Sequence, residues 1–190
     1  MSCRIIDLQT LPATPWKNGG GTTRQLAIAP PAAGLEDFAW RISCARVAGG
    51  GPFSPFLGVD RSLAVLDGAG LDLQLLGASR TLRPCGEALA FAGEAEVTAQ
   101  LLDGPVSDLN VMTRRDAWQH RLWHLHLNGE RALHNDAEVL LLLCHGGQVD
   151  VRDRATLHRG QALLLEGEQG PLQLRGSAAC LQVAQLYRRS

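Results

Sequence analysis

The chain predicts an all-β fold built from two tandem barrels with little helix, and three observations predict it. The first is an internal repeat. Ser62 to Leu101 and Glu138 to Gly176 both run apolar strand, glycine turn, alternating strand, Thr-Leu, then G-x-A-L-x-[FL]-x-G-E. Gly86, Ala88, Leu89, Phe91, Gly93 and Glu94 recur at one constant offset as Gly160, Ala162, Leu163, Leu165, Gly167 and Glu168. The second is short alternating runs parted by glycine turns such as DGAG, HGG and EGEQG at intervals of about ten residues, the punctuation of a barrel or sandwich. The third is that no long window keeps a 3.6-residue period between caps. Two copies of such a unit make a pair of jelly rolls, the RmlC-like arrangement of a two-barrel cupin, or bicupin. The expected division is 1–116 and 117–190, packed as one compact unit, with extra strands at the N-terminus of the first barrel.

Composition narrows the function classes. A formal charge of −1 over 190 residues gives no broad electrostatic drive towards nucleic acid or anionic lipid, so neither is an expected partner. The longest apolar run, Val139 to Cys144, is far short of the ~20 residues of a membrane span. The N-terminus lacks a cationic stretch followed by an apolar one, so the expected location is cytoplasmic. Five cysteines lie far apart without C-x-x-C spacing and read as small buried hydrophobes in a reduced compartment.

In chain order, PWKNGGGTTRQLAIAP (Pro15 to Pro30) comes first. A phosphate loop needs glycines before the lysine and a helix after it. Here Lys17 precedes Gly19-Gly20-Gly21, and TTRQLAIAP reads as a strand. Asn18-Gly19 is a turn signal, which leaves Trp16 and Lys17 at the mouth of the first barrel.

FAWRISCARV (Phe38 to Val47) alternates next, setting Trp40, Ile42 and Cys44 against Arg41, Ser43 and Ala45. GPFSPFLGVDRS then reads as a rigid connector in which Asp60 and Arg61 form a local ion pair, or as a wall presenting Arg61 to a small anion. After the first repeat, SDLNVMTRR alternates again, with Asp108, Asn110, Met112 and Arg114 opposite Leu109, Val111 and Thr113. The polar faces of these strands either meet water or line a barrel mouth.

HLHLNGE follows, with His124, His126 and Glu130 at the H-x-H-x3-E spacing that suits a divalent metal. The glycine expected ahead of His124 and the third histidine downstream are missing. Two histidines on a half-exposed edge strand is therefore the preferred reading, with no metal and no cofactor. No G-x-S-x-G nucleophile elbow occurs. The second copy of the repeat carries fewer polar faces and is expected to be scaffold.

PWKNGGGTTRQ, FAWRISCARV, GPFSPFLGVDRS and LLDGPVSDLNVMTRR, in that order, resemble the HutD/Ves family over essentially the whole chain. The resemblance implies a two-domain cupin without the usual metal ligands, associated by name with histidine utilisation and of no established biochemical activity. It implies a pocket drawn from Trp16, Lys17, Asn18, Thr23, Trp40, Arg41, Ser43, Asp60, Arg61, Asp108, Asn110 and Arg114. The position after Arg24 is commonly acidic in the family and is Gln25 here, so an acid/base role does not carry over to it.

A cationic pocket would take a small carboxylate such as urocanate or formylglutamate. The expected function is non-catalytic binding that modulates histidine utilisation. The alternatives are a metal-independent enzyme acting on a small acid through Lys17 or Asp108, and an assembly protein forming a homodimer through apolar strands such as VLLLLC.

Overall fold

A computed structural model describes residues 1–189. The described residues contain no helix, so none is long and apolar enough to cross a membrane. The strands are β1 (Ser2–Asp7), β2 (Thr14–Pro15), β3 (Gly21–Ala29), β4 (Trp40–Val47), β5 (Gly51–Pro52) and β6 (Val59–Asp67). They continue as β7 (Leu71–Leu75), β8 (Ala78–Leu82), β9 (Leu89–Ala92), β10 (Val97–Leu101) and β11 (Val106–Arg114). The last are β12 (Trp118–Asn135), β13 (Val139–Val151), β14 (Ala155–His158), β15 (Gln161–Glu166) and β16 (Gly170–Arg188).

The chain divides into two units. The unit spanning Leu11–Gln119 holds a six-stranded sheet, β2-β3-β4-β11-β6-β9, and a four-stranded sheet, β5-β10-β7-β8. Val47, Leu63, Val65 and Val106 from the first sheet meet Leu71, Leu73, Val97 and Ala99 from the second in one core. These residues recur at every second position of their strands, which is how period-two patterning puts a common face inside.

The unit formed by Met1–Thr10 and His120–Arg188 holds the sheet β1-β15-β13-β16-β12, with β14 also on β13. Its core side switches parity along β13, from Leu140, Leu142 and Cys144 to Val149 and Val151. The pairing of β13 with β16 slips at Cys144–Gly146 and Gly146–Gln148, and the extra residues let one long strand bend around its own core. Gly147 at the bend has φ +65°, and a Cβ there would come within 2.8 Å of the Ala178 carbonyl oxygen. Only glycine combines that conformation with so close an approach.

The sequence repeat is a repeat of pairings. β6 pairs with β9 and β7 with β8, as β13 pairs with both β15 and β14. The units depart from the expected 1–116 and 117–190 at the N-terminus. β1 pairs along β15 from Ser2↔Glu166 to Asp7↔Gln161, so the first ten residues group with the C-terminal unit. The physical reason is the edge of β15 not taken by β13, whose unpaired amides and carbonyls β1 satisfies while burying Ile6.

Candidate functional site

Register decides which side chains share a face. Val47 and Val106 are cross-strand partners in the core of the Leu11–Gln119 unit. Stepping by two from them along the sheet gives Ala45, Ser43 and Arg41 on β4 and Asp108, Asn110 and Met112 on β11. The same face carries Val65, Leu63 and Arg61 on β6, Gln25 and Thr23 on β3, and Phe91 on β9. The interior wall is therefore apolar at one end and polar at the other.

Arg61 dominates the polar end. It is only 6% exposed, and its guanidinium lies 5.1, 5.5 and 5.2 Å from the ring centres of Phe53, Phe56 and Phe91. Each ring face attracts the cation, so the three together replace part of its lost hydration. Nη1 donates to the Ser54 carbonyl oxygen at 3.2 Å. Nε is buried without a partner, and no described residue accepts a hydrogen bond from Nη2. The edge left over is the fork with which arginine grips a carboxylate.

Two acceptors on β11 are stranded in the same way. Asp108 is 2% exposed, and its Oδ1 and the Oδ1 of Asn110 are buried without partners. Burial pushes the Asp108 carboxyl up to about 7, opposed by a hydrogen bond from the Ala45 amide and by the charge of Arg61. Burial pushes Arg61 down to about 10, with Asp108 pulling it up and Arg41 pushing it further down. An unsatisfied buried polar atom costs on the order of 1–3 kcal/mol. Three such atoms, Arg61 Nε, Asp108 Oδ1 and Asn110 Oδ1, belong to residues of one wall.

Arg41 stands at the rim of this wall. Its Nε donates to Gln25 Oε1 at 3.1 Å, and no carboxylate of the described residues lies within ion-pair distance. Ser43, 3% exposed, is on the same face between Arg41 and the core.

Other residues of the expected pocket go elsewhere. Trp40 and Asp60 fall on the opposite face of the sheet, because strand neighbours alternate sides. Trp40 packs edge-on against Trp118. The expected Asp60–Arg61 ion pair does not form for the same reason. Asp60 instead accepts from Arg115 Nε at 2.7 Å, and Arg115 also holds Glu94.

Arg114 is spent on the backbone, donating to the carbonyls of Phe38 (3.1 Å), Leu57 (2.9 Å) and Glu36 while lying over the Phe38 ring. Lysine cannot span three diverging carbonyls. Arg114→Lys should lower unfolding free energy by about 2–3 kcal/mol in urea melts. It should leave ligand affinity per folded molecule unchanged.

In the opening turn, Asn18 Oδ1 accepts from the Gly20 amide at 3.0 Å, and both Asn18 and Lys17 are exposed. The Trp16 indole donates to Thr23 Oγ1 at 2.8 Å and its ring covers Gly21, where a Cβ would meet the ring at 3.1 Å. Trp16 thus packs against the core as a plug, and the Thr23 hydroxyl on the inner face is occupied by it.

Sequence reasoning missed the aromatic enclosure of Arg61. Its one signal was the two phenylalanines spaced around Ser54-Pro55 in a loop that has no periodicity to read.

His124 and His126 lie on the face of β12 opposite Leu125 and Leu127, which belong to the core. The His126 Nδ1 is 3.7 Å from Cys180 Sγ, the His124 ring meets His145 edge-on, and Glu130 is exposed further along. Burial and the nearby His126 push the His124 imidazole down. His124, His126 and Glu130 do not converge as one ligand set among the described residues.

Helix-free antiparallel sheets around a polar inner wall define an all-β, cupin-like protein. Within that class the chain belongs to the HutD family, whose sequence profile matches residues 8–182. It is 35% identical to an uncharacterized 21.2 kDa protein in the hutC 3′ region of Pseudomonas putida, over 86% of this chain and 87% of that one. Protein Ves of Citrobacter koseri is 41% identical over a stretch spanning 58% of each chain. The solved structure of HutD from Pseudomonas fluorescens SBW25 superposes with a TM-score of 0.85 at 29% identity, covering the whole of both chains.

Proposed function

We propose that this chain is a non-catalytic bicupin that binds a small carboxylate on the inner wall of its Leu11–Gln119 unit and modulates histidine utilisation from the cytoplasm. The observation that carries the reading is the unpartnered Nε–Nη2 edge of Arg61, a residue on the same face of the sheet as the stranded oxygens of Asp108 and Asn110. The repeated strand pairings support the two-barrel arrangement. The histidine link draws on the names of relatives, one called HutD and one described by its place beside hutC. That HutD was solved in a formate condition, and formate is the smallest carboxylate. Urocanate and formylglutamate are the metabolites of this chemistry to try first.

A carboxylate on Arg61 would lie beside Asp108 and drive it to its protonated form. Binding should therefore take up about half a proton near pH 7 and close to one near pH 8, and affinity should fall up to tenfold per pH unit above 7. Titration calorimetry in buffers of different ionisation enthalpy reads both quantities. If neither heat nor thermal stabilisation appears with urocanate, formylglutamate or pentanoate at about 10 mM, the proposal is lost.

A second reading, a metal-independent enzyme, draws on the Asp108 carboxyl at about 7, a value suited to general acid/base work. It requires the bound acid to be converted. Recovery of each acid unchanged after long incubation would remove that reading and leave the first.

A further inference from the structure

We infer that the site takes a dianion, a small α,ω-dicarboxylate whose first carboxylate lies on Arg61 and whose second lies on Arg41. The inference rests on the carboxylate reading above and deepens it. Apart from Arg114, whose guanidinium is taken up by backbone carbonyls at the end of β11, the inner face carries two guanidinium groups and one acid. Arg4, Arg115 and Arg154 each have a carboxylate within 4.0 Å, whereas Arg41 and Arg61 have none among the described residues. Asp108, the acid on that face, is the one that burial makes reluctant to ionise. A monoanion on Arg61 would leave Arg41 uncompensated, and a dianion balances the wall.

Spacing agrees with charge. Met112 is the cross-strand partner of Arg41 on one side and of Arg61 on the other. The two arginine Cα atoms are therefore about 10 Å apart, two strand spacings. Arginine side chains reaching inward from such points can hold the two ends of a short chain, with the Met112 side chain between them against its methylenes.

Gln25 sets the charge at the rim. It holds Arg41 Nε as a neutral acceptor, fixing the guanidinium without neutralising it. A carboxylate in its place would pair with Arg41 and discharge that end of the site. Gln25 is thus a specificity-determining residue that keeps the second cation available.

The test compares glutarate with pentanoate, acids of equal chain length that differ in one carboxylate. Calorimetry on the full chain at neutral pH should find glutarate bound at least about tenfold more tightly, a difference of roughly 1.4 kcal/mol. Arg41→Met and Gln25→Glu should each bring the ratio close to one. Gln25 is exposed, so its variant reports even if Arg41→Met folds poorly. Pentanoate binding with a ratio near one overturns the dianion and leaves the carboxylate reading standing. A preference that survives Gln25→Glu also overturns it. Binding of neither acid overturns both.

Discussion

Replacing Arg61 with methionine should weaken carboxylate binding by about 100-fold or more while leaving the fold close to its present stability. The two halves of that expectation have different causes. Binding depends on the free guanidinium edge, and removing a desolvated charge from the partner of a carboxylate is among the most damaging changes a site can suffer. Stability depends on the cage. Phe53, Phe56 and Phe91 enclose the side chain, and methionine supplies a flexible apolar body of similar length to fill the space. Exchanging a buried ion for a well-packed apolar group is often neutral or favourable.

Asp108 would lose the attraction that now lowers its pKa, and would simply stay protonated further up the pH scale. Unfolding in urea at about pH 6 should move by no more than about 1 kcal/mol. An Arg61→Met protein that unfolds normally and still binds pentanoate as well as the parent would place the site elsewhere.

Asp108→Asn should stabilise the unliganded protein by an amount that grows from about pH 4 and levels off above about pH 7. The folded carboxyl titrates at about 7 against a reference of 3.8, so the folded state holds the proton more tightly than the unfolded one. A raised folded pKa contributes stability that is complete below the unfolded value and is lost as pH rises through the folded one. Above pH 7 the folded chain carries a buried carboxylate at a cost on the order of 4 kcal/mol as an upper bound. Arg61 from β6 and the Ala45 amide from β4 already offset part of the desolvation, and asparagine removes the charge they were offsetting.

Denaturation series should therefore show the variant ahead of the parent by a few kcal/mol at about pH 8.5, with the curves meeting near pH 4. A pH-independent difference between the two proteins would mean that Asp108 is not the buried acid described.

Much of this architecture is legible in the sequence, and the part that is not has a physical explanation. Strand alternation is local, so Arg41, Ser43, Asp108 and Asn110 were legible as one polar face from two separate strings. Alternation also shows that Asp60 and Arg61 must point apart, which the motif reading overrode by treating neighbours in sequence as neighbours in space. Arg114 shares its strand's inward parity but stands at the end of β11, where nearby carbonyls capture the guanidinium. Nothing in SDLNVMTRR announces carbonyls contributed by Glu36 and Leu57.

The phenylalanine cage belongs to a loop whose path is set by long-range hydrogen bonds, Phe53 to Val97 and Phe56 to Gly93, and so left no periodic trace. The pairing of β1 with the C-terminal unit escaped for a related reason. SCRIID is a weak strand signal by itself and is defined by the edge it completes.

That edge has a consequence for the order in which the protein is made. Asp7 and Gln161 face each other across a sequence separation of 154. During synthesis β1 leaves the ribosome long before β15 exists. It must wait unpaired while strands β2 to β11, whose partners are all closer along the chain, can assemble as they emerge. Translation from N- to C-terminus thus builds the Leu11–Gln119 unit first and closes the other unit last, with a strand kept from the start. A pause in translation ahead of Gln161 would leave the polar inner wall fully encoded and the second sheet still open at its edge.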